Sequence, residues 1–206
     1  STTSFTLTDI DFTDGPYLDE NISTTTIYAS AATGTGINLV ASAATFESGH
    51  VGALFRFREI IETSHDAWAA STSYAQNDTV RNAGNVYKKT NSGSHTSGTT
   101  APVHTTGTET YGSIDWEFQH SGTGFVKITG FTSSTQVAAD VKSTLPASVV
   151  GSSNPTTKWS EGAFSSVRGF PKALAFYEER LFFAGTTHQP QSIFGSVSAD
   201  FENHSP

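Results

Sequence analysis

The chain has 206 residues, a net charge of −8, and neither cysteine nor methionine. Without cysteine there is no disulfide framework and no thiolate zinc site, and eleven scattered Lys and Arg form no basic stripe, so sequence-specific nucleic-acid binding is not expected. No apolar run approaches the roughly 18 residues of a membrane-spanning helix.

Thr, Ser, Gly and Ala dominate, and the recurrent apolar residues are Phe, Val and Ile, which suit half-buried pleated surfaces; the predicted fold class is all-β. Position 1 is Ser, and "SADFENHSP" brings no closing element, so the sequence reads as a piece of a longer polypeptide. In chain order, Phe5, Leu7, Ile10 and Phe12 alternate as a strand before the turn signal Asp14-Gly15-Pro16. "TTTIYAS" and "INLVAS", joined across Gly34 to Gly36, predict a hairpin. "ALFRFREIIE" predicts a strand through Leu54, Phe55, Phe57, Ile60 and Ile61. Residues 66–118 break this patterning, with widely spaced aromatics and a Ser/Thr/Gly/His-rich stretch from Asn91 to Gly112. Alternation resumes at Phe125, Ile128 and Phe131 and continues at Val137, Ala139 and Val141, two strands across a Ser/Thr turn.

The expected organisation is therefore a discontinuous β-sandwich or barrel-like domain from residues 1–65 and 119–147, with 66–118 inserted into it. A Gly/Ser/Asn/Pro linker, "ASVVGSSNPTTK", opens the last piece, 148–206. In that piece "ALAFYEE" and "RLFFAGT" are short strands, and a third begins at Ser192.

That last piece carries a set of small motifs in fixed order: Trp159, Gly162 to Ser165, Gly169 to Pro171, Arg180 to Gly185, Pro190-Gln191 and Ser198 to Phe201. Together with "DFTDGPYLDEN" at 11–21 they resemble the tail-tube-end proteins of short-tailed bacteriophages, known as nozzle, tail tubular protein B or stabilisation proteins. The resemblance implies an N-terminal part of a structural virion protein, followed by a propeller-like β-rich body. It also implies a homo-oligomeric ring, expected as a hexamer, docked to the phage tail adaptor and lining the DNA exit conduit. The localisation it implies is the phage tail, with no cofactor and no enzymatic activity.

Within the insertion, Trp68, Tyr74, Asn77-Asp78, Val80, Gly84, Tyr87, Pro102 and Trp116 resemble the frame of small family 5/12 chitin- or cellulose-binding modules. This implies a carbohydrate-binding candidate set of Trp68, Tyr74, Tyr87, Tyr111 and Trp116, with host-surface glycan as the ligand class. The sequence departs from the family where a stacking aromatic commonly precedes the proline, since Thr99, Thr100 and Ala101 stand there. A module of some 50 residues also needs large rings for its core, so packing is the weightier expectation for the frame aromatics, and Tyr111 is the substitute stacking residue. The alternative to the virion reading is a stand-alone carbohydrate-binding module of a secreted or surface protein.

Other chemistry is thinly supported. His95 and His104 with Asp115 or Glu117 match no metal-ligand spacing, and no metal site is expected. Glu59, Glu62, Asp66, Asp78, Asp115 and Glu117 are the carboxylates a glycosidase pair would draw on, but they fall near strand ends and turns, where solvated roles are expected. No nucleophile elbow or phosphate-binding glycine loop is present.

Overall fold

A computed structural model describes residues 12–205, so Phe5, Leu7 and Ile10 of the first predicted strand lie outside the described residues. The first strands are β1 (Ile27–Ala29), β2 (Ile37–Ala41) and β3 (Leu54–Arg58). The insertion holds β4 (Asp66–Ala67), β5 (Ser73–Tyr74), β6 (Thr79–Asn82), β7 (Asn85–Lys89), β8 (His95–Thr96), β9 (Thr108–Tyr111) and β10 (Ile114–His120). There follow β11 (Thr123–Ser133), β12 (Gln136–Ser143) and β13 (Trp159–Glu161), and finally β14 (Ala173–Tyr177), β15 (Arg180–Ala184) and β16 (Ile193–Gly195). Helix is confined to single turns, and the fold is all-β.

The first sheet has the order β1-β2-β12-β11-β3-β13, antiparallel throughout, and curls as a half-barrel. Period-two alternation sets its inner face: Leu39, Phe55, Phe57, Val126, Ile128 and Val137 are all essentially buried, and Phe46, Leu145 and Val149 close over them. Burying each such side chain is worth about 1.5–3 kcal/mol, which makes this sheet the main stabilising element. Gly124 lets β11 pass under the following chain, because a Cβ there would meet the Thr144 carbonyl oxygen at 2.3 Å.

Two local expectations change. Strand β3 stops at Arg58, and Ile61–Ser64 is a helical turn that buries Ile61, so the apolar run 54–61 is split between two elements. The segment 147–158, read as a linker, instead lies along β1 through bridges from Val150 to Ala29 and from Thr156 to Ile27, with Val149 fully buried. Strand β13 then pairs with β3, so the start of the last piece belongs to the first sheet.

The second sheet, β4-β6-β7-β10-β9, is drawn wholly from the insertion; β4 and β6 are parallel and its other neighbours antiparallel. The chain leaves the first sheet after β3 and returns at β11 side by side. Arg58 faces Thr123 across the ladder, and the Glu59 amide donates to the Gly122 carbonyl at 2.8 Å. The third sheet is β14-β15-β16. The arm around residues 13–21 ties it to the first: Leu18 and Asn21 amides donate to Glu161 and Trp159, while Asp14 accepts from the His204 amide.

Candidate functional site

The register of the second sheet places Tyr87, Lys89, Trp116 and Phe118 on one face, since Trp116 opposes Lys89 and Phe118 opposes Tyr87. Tyr74 meets Trp116 edge-on at 5.2 Å, and Val80 and Ile114 fill the space between. Tyr87 and Trp116 are 0% exposed and Tyr74 is 8% exposed. These three rings are thus buried as the core of the module. Trp68 is half-buried against the same core.

The Ser/Thr/Gly-rich stretch is ordered by a buried cation. Lys89 is fully buried, and its ammonium donates to the Asn91 and Gly93 carbonyls, folding that loop over the core. Carbonyl acceptors replace the carboxylate that such a residue ordinarily needs, a device invisible to patterning because the partners are main-chain groups.

Tyr111 closes β9 and packs half-buried against the module core. Its hydroxyl accepts from the Val103 amide at 3.3 Å and donates to Glu109 Oε2 at 3.0 Å, and its ring stacks on His104 at 5.7 Å. Val103 follows Pro102, so half-buried Tyr111 is tied to the chain just after that proline. Thr99 and Thr100 are exposed, and Val103 adds exposed apolar surface. Three of the six carboxylates weighed for catalysis make local hydrogen bonds: Asp78 accepts from the Ala75 amide, Asp115 from the Thr110 hydroxyl, and Glu117 from Gln119.

A second cluster sits where the insertion joins the first sheet. Glu59 follows β3, His65 precedes β4 and His120 ends β10, and one ligand-capable atom from each lies within 4.8 Å of the others. The two carboxylate oxygens of Glu59 face the two imidazoles separately, Oε1 at 3.3 Å from His65 Nε2 and Oε2 at 3.2 Å from His120 Nε2. Burial holds His120 below the usual histidine range, against the upward pull of the Glu59 charge and with the help of nearby His65. Sequence reading missed this set because its members are separated by six and fifty-five positions; only the pairing of β3 with β11 brings them together.

The third sheet presents the opposite case to the module. Leu174 and Phe176 on edge strand β14 are each 66% exposed, Tyr177 is 64% exposed, and Phe170 and Ile193 are likewise largely uncovered. Toward the body the sheet is anchored by Phe183, which meets Phe12, Phe164 and His204, and by the Arg168 guanidinium, paired bidentately with buried Glu161 at 2.8 and 2.6 Å. His50 Nε2 lies 2.9 Å from the same carboxylate. Burial alone raises a carboxyl pKa, but the His50 and Arg168 hydrogen bonds outweigh it and hold Glu161 below the usual carboxylate range. No helix of the described residues is long and apolar enough to cross a membrane. No protein-family model matches the chain, and no curated protein matches it significantly.

Proposed function

We propose that this chain is a structural assembly protein, the N-terminal part of a short-tailed phage tail nozzle, in which the inserted module is a peripheral decoration. The observation that carries this reading is the third sheet. A free β-edge bearing Leu174, Phe176 and Tyr177 is the surface that soluble proteins ordinarily blunt or cover. Covering it by further strands of a propeller-like body or by a neighbouring copy in a ring is the natural use of such an edge. The motif order from Trp159 to Phe201 supports the same reading from the sequence.

The test is the assembly state of the full-length product. Negative-stain microscopy and cross-linking are expected to reveal closed rings, with six copies as the expected number; a strictly monomeric full-length protein would sink the proposal. A second reading, weak glycan contact by the module, is favoured by Tyr111 lying beside Pro102 and Val103. Titration of the whole chain with chitin oligosaccharides is expected to give millimolar binding that Tyr111→Ala removes, and ring multiplicity would raise the avidity. Absence of binding in that range leaves the module as structure alone.

A further inference from the structure

We propose that Glu59, His65 and His120 form a binding site for a borderline divalent transition cation, of which Zn²⁺ is the reference case, and that the cation fixes the module to the first sheet. Geometry comes first. Ligands about 2.0–2.1 Å from a tetrahedral zinc stand ~3.3 Å from each other, and the observed nitrogen-to-oxygen gaps are 3.3 and 3.2 Å. Gaps of that length also suit hydrogen bonds. Yet Glu59 Oε2 and His65 Nε2 are both buried without a hydrogen-bond partner, and the Glu59 side chain is only 7% exposed. A buried carboxylate oxygen and a buried imidazole nitrogen left in this way are costly, and a shared cation satisfies both. Two imidazoles and one carboxylate select the Zn²⁺, Co²⁺ and Ni²⁺ class over the oxygen-seeking Ca²⁺ and Mg²⁺.

The outer contacts set the expected strength. His65 Nδ1 lies 3.0 Å from the Thr79 hydroxyl, which can accept its proton and leave Nε2 free to ligate. At His120 the contact runs the other way: the Gly122 amide donates to Nδ1 at 3.1 Å, which leaves the proton of a neutral ring on Nε2. Ligation by His120 therefore requires the Gly122 amide to turn aside, a movement open to a glycine at φ +78. That opposing contact weakens the site by about 10- to 100-fold relative to one whose histidines both donate outward. Binding is consequently coupled to the Ser121-Gly122 turn, through which the chain re-enters the first sheet.

The test uses the whole chain after chelator treatment, titrated with Co²⁺ and followed by its visible absorption, and with Zn²⁺ followed by calorimetry and thermal melting. The expected result is one equivalent bound, a cobalt spectrum with nitrogen and oxygen ligation, and a higher melting temperature. His65→Ala and Glu59→Gln are expected to weaken binding at least tenfold, whereas the double variant His95→Ala/His104→Ala leaves it unchanged. Zinc is also expected to slow amide exchange across residues 59–66 and 120–122. Absence of stoichiometric binding to the wild-type chain overturns the proposal without reference to any variant. So does a binding curve that survives His65→Ala or Glu59→Gln in folded protein.

Discussion

The inserted module and the third sheet use the same residue types to opposite ends. In the module Tyr74, Tyr87 and Trp116 are turned inward and sealed, because a second face of chain, the loop pinned by Lys89 and the ribbon of β5 and β8, closes over them. In the third sheet Leu174, Phe176 and Tyr177 stay largely exposed on a single layer, even though Phe176 meets the Phe201 ring edge-on at 5.2 Å. An aromatic in a β-rich sequence thus signals burial only if the chain supplies two layers around it. Where it supplies one, the aromatic signals a contact yet to be made.

The largest test of that contrast is Trp116→Ala. Emptying the centre of so small a core is expected to cost about 3–5 kcal/mol, and hydrogen exchange is expected to show the module open while β11 and β12 stay protected. Next comes the polar anchor of the third sheet. Arg168→Ala leaves the buried Glu161 carboxylate with His50 alone and is expected to cost about 1.5–3 kcal/mol, the usual range for hydrogen bonds to a charged group, as read by denaturant melts.

The pH dependence has a definite sign. Glu161 titrates lower in the folded chain than in the unfolded one, so its contribution is complete above the unfolded value near 4.5 and is lost as pH falls through the lower folded value. Stability of the third-sheet anchor is therefore expected to fall on the acid side of pH 4.5, and Glu161→Gln is expected to flatten that limb in a melt series. The module, whose core is uncharged apart from Lys89, is expected to keep its exchange protection over the same range.

Smaller still is Tyr74→Phe. It removes the hydroxyl that accepts from the Ala69 amide at 2.8 Å, and it is expected to cost about 1 kcal/mol in a thermal melt. At the bottom of the scale, Leu174→Asp is expected to change the stability of the isolated chain by no more than about 0.5 kcal/mol, since an exposed side chain has little to lose. Its effect belongs to self-association, measured by sedimentation of the full-length product. A large loss of stability in the isolated chain would erase the contrast between the two regions.

Much of the architecture was legible because alternation is strong where one face is buried. The hairpin of β1 and β2, the long pair β11 and β12, and the edge pair β14 and β15 were all readable from Phe, Val, Ile and Leu at every second position. What escaped patterning depended on the main chain or on distance. The composition of 147–158 says linker, yet two bridges to β1 and one buried valine make it part of the first sheet. Lys89 reads as a solvated charge until carbonyls from its own loop enclose it. Of the candidate site, Tyr111 was readable as a substitute for the missing stacking aromatic, but no spacing could bring Glu59 to His65 and His120. That meeting is a property of strand pairing rather than of spacing.

The facing of Arg58 and Thr123, with the Glu59 amide bonded to the Gly122 carbonyl, has an architectural consequence. Strands β3 and β11 are the arms of one hairpin whose tip has been replaced by the whole module. Splicing out residues 60–121 would leave those arms in register, needing only a tight turn between them, and another small domain with neighbouring termini would fit the same socket. The first sheet is thus a chassis, and the module is an exchangeable attachment held at a point where only two strands cross.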